Sequence, residues 1–163
     1  MVWVNVKKHC TDATRKALEC YEAGWWSPFP LRRESRRDLG ETMLTGNDIF
    51  EAKLFDDRVS HGGWPVDVHP PEGLRSKDPP CDQTFLNELY SVPFSIMYSR
   101  NIKNLMLAGR CISVSHVAMG SIRVMNSLGA AAQAVGMAAA LCIEKKVDPR
   151  EIREKHMAEL QQG

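Results

Sequence analysis

The chain has 163 residues, of which 44% are hydrophobic and 25% are charged, with a formal net charge of +1. This length supports one domain with a sizeable core, and the balanced charge gives no global reason to expect nucleic acid or an acidic membrane as a partner. The five cysteines are scattered without a Cys-x-x-Cys pair, which favours reduced thiols in a cytoplasmic setting and predicts no metal centre.

The first predicted element is a helix over residues 12–23, which Thr11 or Asp12 caps and Gly24 ends. The tryptophans and prolines over residues 25–30 cannot continue that helix. They predict a loop instead.

Residues 32–39 are dense in charge, with four arginines and interleaved acidic residues. On a helix, Arg33 and Arg37 would share one face. Such patterning is typical of a solvated helix held by salt bridges.

A capping-box pattern marks the next predicted helix. Asp48 follows Thr45 by three residues, so each side chain can bond to the backbone N–H of the other. We predict a short helix from this cap through about Leu54.

Two strands are predicted in the middle of the chain. Residues 64–69 alternate between apolar and polar side chains, and Pro65 places this strand at an edge or at a strand start. Asp67 and His69 are two residues apart, so they should point to the same side of the strand. They indicate either a general-base pair or a hydrogen-bonded edge before the proline loop at 70–80. The second strand is predicted over residues 90–98.

The run from 104 to 140 is the most informative part of the sequence. Residues 105–108 read Leu-Met-Leu-Ala before Gly109, a pattern typical of a strand buried on both faces. A loop over residues 110–125 then leads into a helix. Polar interruptions over residues 124–143 favour a buried helix over a membrane span. Small residues recur along it at three- and four-residue spacing, at Gly129, Ala132, Gly136, Ala139 and Ala140.

A last helix is predicted from Asp148, where Pro149 fits the first turn and Glu151 stands three residues after the cap. One face of this helix should carry Ile152, His156 and Leu160.

The order of these motifs resembles the C-terminal segment of the FAD-dependent oxidoreductase family, over most of residues 30–143. The matching residues of the last segment are Ala108-Gly109-Arg110, Ser113, His116, Gly120, Arg123-Val124-Met125, Gly129, Gln133 and Gly136. The earlier ones are Arg33-Glu34-Ser35-Arg36-Arg37, Leu44-Thr45, Asp48, Asp67-Val68-His69 and Val92-Pro93-Phe94. Ser95 and Asn126-Ser127 depart from the residues common in the family.

The resemblance implies a mixed α/β fold, an α+β fragment in which mostly antiparallel substrate-domain strands precede the returning strand and helix of an FAD-binding sheet. It implies a partial substrate or cap domain over 1–102, the returning strand-loop-helix over 103–147 and a C-terminal helix over 148–163. Strand 105–108 would then have unpaired edges, which predict self-association or pairing with a missing N-terminal half.

The resemblance also implies the site residues. Those placed beside FAD are Gly109, Arg110, Val124, Met125, Asn126 and Gly129. His116 and Arg123 are the predicted catalytic residues, because histidine can move protons and arginine can hold a substrate carboxylate or reduced flavin. The predicted substrate-binding residues are Arg33, Arg36, Asp67 and His69. From the residues alone, His116 can equally be a hydrogen-bonded loop residue and Arg123 a salt-bridged one, and the strand-loop-helix can be an ordinary packing unit.

The glycines form no Gly-x-Gly-x-x-Gly turn for the ADP half of FAD. The chain is therefore expected to be the C-terminal part of a flavoprotein that transfers hydride between a small organic substrate and flavin, and to be inactive alone. The alternatives are a non-catalytic interaction module left after loss of the FAD domain, or a hydrolase or lyase that uses Asp67 and His69.

Overall fold

The computed structural model describes residues 11–18, 24–25, 36–70, 72, 75–79 and 81–162. The chain forms two compact units, residues 1–33 and residues 34–163. In the first unit, helix α1 spans Asp12–Leu18, which confirms the start of the predicted 12–23 helix. The end of that helix, most of the aromatic loop and Arg33 lie outside the described residues.

Helix α2 spans Gly46–Phe50 and begins at the predicted capping box. The Asp48 N–H donates to the Thr45 hydroxyl at 3.3 Å, and the Thr45 N–H donates to the Asp48 carboxylate at 2.9 Å. The helix ends before the predicted Leu54 because Ala52 has a φ of 48°, outside the right-handed helical region.

Replacing Asp48 with asparagine is expected to reduce the acid sensitivity of folding. Burial raises the pKa of the Asp48 carboxyl, but hydrogen bonds from Thr45 and Lys53 outweigh it and hold the pKa below its ordinary value of 3.8. Such a carboxyl adds stability above its ordinary pKa and loses it as the pH falls through the lower folded value. Between about pH 7 and pH 3, the free energy of unfolding of the wild type should fall by about 0.5 kcal/mol more than that of Asp48→Asn. Urea unfolding of both proteins measures this, and equal losses would contradict it.

The described strands form two antiparallel pairs. Strand β1 (Arg58–Gly62) pairs with β4 (Tyr90–Pro93), and strand β2 (Val66–Val68) pairs with β3 (Asp82–Thr84). The β2–β3 register places Asp67 opposite Gln83. These pairs hold the middle of the chain against the later helices.

Strand β2 confirms the strand predicted over 64–69, with Pro65 just before its start. Strand β4 is shorter than the predicted strand over 90–98, because a 3-10 turn follows at Phe94–Ile96. Its N-cap, Pro93, keeps an extended backbone and the chain turns immediately after it. The sequence did not predict β1 or β3.

The prediction of a strand buried on both faces over 105–108 is wrong. Met106 forms only an isolated antiparallel bridge with Tyr98, and the Leu107 N–H donates to the Met97 carbonyl at 2.6 Å. Leu107 is buried, but Ala108 is exposed. A strand needs partners along its length to form a ladder, and among the described residues this segment pairs on one side only.

The predicted loop over 110–125 instead contains helix α3, His116–Ile122, which the Ser115 hydroxyl caps by accepting the Ala118 N–H at 3.3 Å. A 3-10 turn at Gly109–Cys111 precedes it. The next helix, α4, spans Met125–Lys145 and begins where the sequence predicts.

Helix α4 is buried along one face only, so the prediction of a buried helix is wrong for its other face. The buried face carries Ser127, Ala131, Ala134 and Ala138. The exposed face carries Met125, Gly129, Gly136, Ala140 and Ile143. By length and composition alone α4 is apolar enough to cross a membrane, a property that it shares with core helices of soluble proteins.

The predicted C-terminal helix is two short helices, α5 (Pro149–Lys155) and α6 (Met157–Gln162), with the break at His156. The capping box of Asp148 and Glu151 is confirmed. Ile152 and Leu160 are buried as the predicted face requires.

A buried carboxylate fastens α5 to the end of β4. Asp57 is 6% exposed, and its Oδ2 accepts the Ser95 N–H at 2.9 Å and the Arg153 Nε–H at 3.0 Å. The Asp57 carbonyl accepts the Phe94 N–H at 2.7 Å. The 3-10 turn after β4 therefore depends on this one residue.

The core lies between the β1–β4 pair and helices α2 to α6. The fully buried side chains of greatest volume include Tyr90, Tyr98, Phe94, Leu44, Ile49, Ile122 and Ile152. Small antiparallel sheets combined with helices confirm the predicted mixed α/β class.

Candidate active site

A salt bridge joins strand β2 to the end of helix α3. Arg123 Nη2 donates to the Asp67 carboxylate Oδ2 and to the Asp67 carbonyl, both at 3.0 Å. The two side chains are 14% and 15% exposed, respectively. The guanidinium charge is therefore paired inside a mostly closed site.

Gly120 allows α3 to approach β2 this closely. A Cβ on Gly120 would lie 2.9 Å from the Asp67 carbonyl oxygen, which is closer than side chains approach backbone.

One residue after Gly120, the Ser121 hydroxyl donates to the Trp64 carbonyl at 2.5 Å. The Tyr90 hydroxyl lies 2.9 Å from the Ser121 oxygen. Because the Ser121 hydroxyl already donates its hydrogen to Trp64, Tyr90 is the donor in this second hydrogen bond. Burial raises the pKa of Tyr90 to about 12.

Two more side chains meet the other oxygen of the Asp67 carboxylate. The Cys81 thiol donates to Oδ1 at 2.9 Å, and His69 Nε2 lies 3.3 Å from the same atom. Asp67 and His69 thus share one side of β2, as their spacing predicts. The sequence did not single out Cys81, because the approach of residue 81 depends on the unpredicted pairing of β2 with β3.

The cluster keeps Asp67 ionised. The Cys81 thiol, with the charges of His69 and Arg123, holds the pKa of the Asp67 carboxyl below its ordinary range despite partial burial. The same hydrogen bond raises the pKa of the Cys81 thiol, because the proton lies between sulfur and a carboxylate. Cys81 is therefore a poor thiolate nucleophile in this arrangement.

The contacts of Asp67 and His69 agree with both interpretations of the pair, as a general base or as a hydrogen-bonded strand edge. A carboxylate that faces one imidazole nitrogen can orient the ring for proton transfer at the other nitrogen. The same carboxylate also completes a hydrogen-bonded strand edge. For Arg123 the sequence left two alternatives, contact with the substrate or a salt bridge, and in the structure Arg123 forms a salt bridge with Asp67.

The predicted substrate residue Arg36 lines a different cavity of about 330 Å³. Residues 36–39 are not helical, so the predicted charged helix is wrong for the part of 32–39 that the structure describes. The walls of this cavity include Arg37, Ser113 and Ser115. The structure brings Asp67, His69 and Arg123 together, whereas Arg36 faces another space.

Three other predicted residues lie on the surface around α3. His116 is the first residue of α3 and is exposed. Gly109 begins the 3-10 turn with a φ of 82°, which L side chains rarely adopt, and Arg110 beside it is exposed. His116 is not among the side chains that contact Asp67.

The start of α4 presents an open surface. Val124 is the N-cap and makes no side-chain capping bond, and Met125 is 87% exposed. Asn126 and Gly129 are exposed on the next turns. The first N–H groups of a helix have no intrahelical partner and carry partial positive charge, so this end attracts negative charge.

The described glycines differ in what surrounds them. At Gly40, Gly62 and Gly120 an added Cβ would collide with neighbouring atoms at 2.9 Å or less, so the fold itself requires glycine. At Gly109, Gly129 and Gly136 an added Cβ would meet nothing within 4 Å. At Gly109 the positive φ is itself a reason for glycine, whereas the helical Gly129 and Gly136 face open space among the described residues.

A groove of about 610 Å³ lies between β1, α4 and α6. Its polar lining includes Arg58, Ser60, His61, Gln133 and Gln161. Sequence reasoning missed it because β1 was not predicted, and its Arg-Val-Ser-His-Gly sequence has no strong strand signal.

Comparison with known proteins gives one result. Residues 2–163 match the family model described as FAD dependent oxidoreductase. No curated protein and no solved structure matches the chain.

Proposed function

Because the chain belongs to the FAD-dependent oxidoreductase family, we propose that it supplies the flavin-ring and substrate side of an enzyme that transfers hydride between a small organic substrate and FAD. The family match over residues 2–163 carries this proposal. The open start of α4 supports it, because a Cβ added at Gly129 would meet no atom of the described residues within 4 Å.

The residues we assign to the flavin fit its chemistry. The end of α4 formed by Val124, Met125 and Asn126 would hold the ring edge, and its N–H groups would stabilise negative charge there. Gly109 and Arg110 would lie toward the ribityl chain. When bound, FAD supplies a ring that accepts or donates a hydride.

On the substrate side, we assign proton transfer to His116. Arg123 serves by holding Asp67, since its Nη2 already bonds that residue twice. Arg36 remains the proposed anchor of an acidic substrate group.

The ADP half of FAD requires a glycine-rich strand-turn-helix, and the 163 residues contain no Gly-x-Gly-x-x-Gly. We propose that another stretch of polypeptide supplies it and packs on the exposed face of α4, and that the chain alone does not turn over substrate. The apolar Ile143, farther along that face, fits a protein partner better than solvent.

A pair of matched variants tests the flavin assignment. Gly129→Leu should weaken flavin binding at least about tenfold, because the side chain fills the surface beside the helix start. Gly136→Leu, about 10 Å farther along α4, should change it less than about twofold. Flavin fluorescence titration measures both.

The two variants control for folding as well, because an added Cβ meets open space at both positions. Each should raise the free energy of unfolding by about 0.5 to 1 kcal/mol, since leucine favours a helix over glycine. Equal flavin affinities for the two variants would contradict the assignment.

The second candidate function is a non-catalytic interaction module that has lost flavin binding. The missing glycine-rich turn favours it. Flavin bound by the wild type and lost in Gly129→Leu would exclude it.

A further inference from the structure

The group around Asp67 contains three different kinds of metal ligand. Asp67 offers a carboxylate oxygen, His69 an imidazole nitrogen and Cys81 a sulfur, and these atoms all lie within 4.8 Å of one another. Each side chain is half-buried. The usual Cys and His spacings of zinc sites do not occur here, so the sequence did not indicate this group.

The β2–β3 pair holds these ligands in place. Val68 lies opposite Asp82 in the antiparallel register. One step farther along the two strands lie His69 and Cys81. Asp67 and His69 point to the same side because they are two residues apart on β2.

The spacing of the atoms suits a small cation. Zinc bonds of about 2.3 Å to sulfur and about 2.1 Å to nitrogen and oxygen place tetrahedral ligands about 3.4 to 3.6 Å apart. The sulfur-to-oxygen distance is 2.9 Å and the nitrogen-to-oxygen distance is 3.3 Å. Small rotations of the side chains would open the first distance.

Arg123 acts as the orienting group that such sites have. It bonds Oδ2 and the carbonyl of Asp67, which leaves Oδ1 for the ligand side. Ligating carboxylates are commonly fixed by such outer hydrogen bonds. A divalent ion with one carboxylate and one thiolate is neutral, so the guanidinium charge is tolerated beside it.

We propose that Asp67 Oδ1, His69 Nε2 and Cys81 Sγ bind one zinc ion, with solvent in the fourth position. Binding releases the thiol proton of Cys81 to water and forms a zinc–sulfur bond, with no change in oxidation state. A thiolate, an imidazole and a carboxylate together favour zinc over magnesium or calcium. This site goes beyond the proposed function and does not require flavin.

Metal titration of the full chain tests the site. Equilibrium dialysis against zinc should leave about one ion per chain. Cobalt(II), used as a coloured substitute, should give a thiolate charge-transfer band in the near ultraviolet. Cys81→Ser should abolish that band, and His69→Gln should weaken cobalt affinity at least about tenfold. Cys142→Ser, another half-buried free thiol, is the matched control and should change neither.

Two results would overturn the proposal. One is the absence of stoichiometric zinc on the folded wild type. The other is zinc and the cobalt band retained in Cys81→Ser and His69→Gln, which would place the metal on other residues. Circular dichroism of each variant confirms that its fold persists, and flavin titration is read separately, so failure of the flavin assignment leaves this test unaffected.

Discussion

Gly120→Ala is expected to lower the free energy of unfolding by about 2 to 3 kcal/mol and to separate Arg123 from Asp67. The added Cβ would lie 2.9 Å from the Asp67 carbonyl oxygen and 3.3 Å from the Asp67 carbonyl carbon and nitrogen. These are backbone atoms, so the contact cannot be relieved by a side-chain rotation. Strand β2 must move away from α3, which pulls Asp67 away from Arg123 at the end of α3.

Urea unfolding measures this effect, and Gly129→Ala is its control. Both positions are helical glycines, but a Cβ at Gly129 meets no atom within 4 Å. That variant should gain about 0.5 to 1 kcal/mol, because alanine favours a helix over glycine. Equal stabilities for the two variants would show that α3 and β2 do not pack as closely as the structure has them.

Asp57→Ala is expected to cost about 3 kcal/mol. The change removes the acceptor of the buried Ser95 N–H and the anionic partner of Arg153. An unsatisfied buried N–H and a partly buried unpaired guanidinium both destabilise the folded state. The 3-10 turn after β4 and helix α5 should loosen together, which thermal unfolding would report as a lower Tm.

The neighbouring residue provides the control. Asp56 is exposed, and its backbone carbonyl, which a substitution keeps, accepts a hydrogen bond from the Gln161 side chain at 3.0 Å. Asp56→Ala should therefore change the free energy of unfolding by less than about 0.5 kcal/mol. A similar loss of stability in both variants would mean that the removal of a negative charge, and not the loss of the Asp57 contacts, causes the effect.

The sequence predicted the helix starts well because capping is local. Thr45 and Asp48 bond to each other across three residues, and Asp148 and Glu151 repeat the arrangement. Helix ends were predicted less well. Helix α2 ends at a positive φ on Ala52, and the sequence has no glycine there that would predict this end.

Strands were harder because their stability lies in partners distant in sequence. Strand β1 reads Arg-Val-Ser-His-Gly and β3 reads Asp-Gln-Thr with every residue exposed, so neither shows an alternating apolar pattern. Residues 105–108 have the composition of a buried strand, but composition cannot supply the neighbouring strands that would bury them.

The candidate site was predictable only where its contacts are local in sequence. The two-residue period of a strand places Asp67 and His69 together, and the sequence predicted this. The approach of Cys81 and Arg123 to Asp67 depends on the β2–β3 pairing and on the close contact of α3 at Gly120. Neither contact leaves a signal in the local pattern.

The most direct test of the proposed function compares FMN, FAD and ADP as ligands of the purified chain. A chain that contacts only the ring and ribityl end should bind FMN and FAD with dissociation constants within about threefold of each other, and ADP should not compete. FAD binding much tighter than FMN, with competition by ADP, would show that the chain itself holds the ADP half. No flavin binding even at about 1 mM would contradict the placement of a flavin site on this chain.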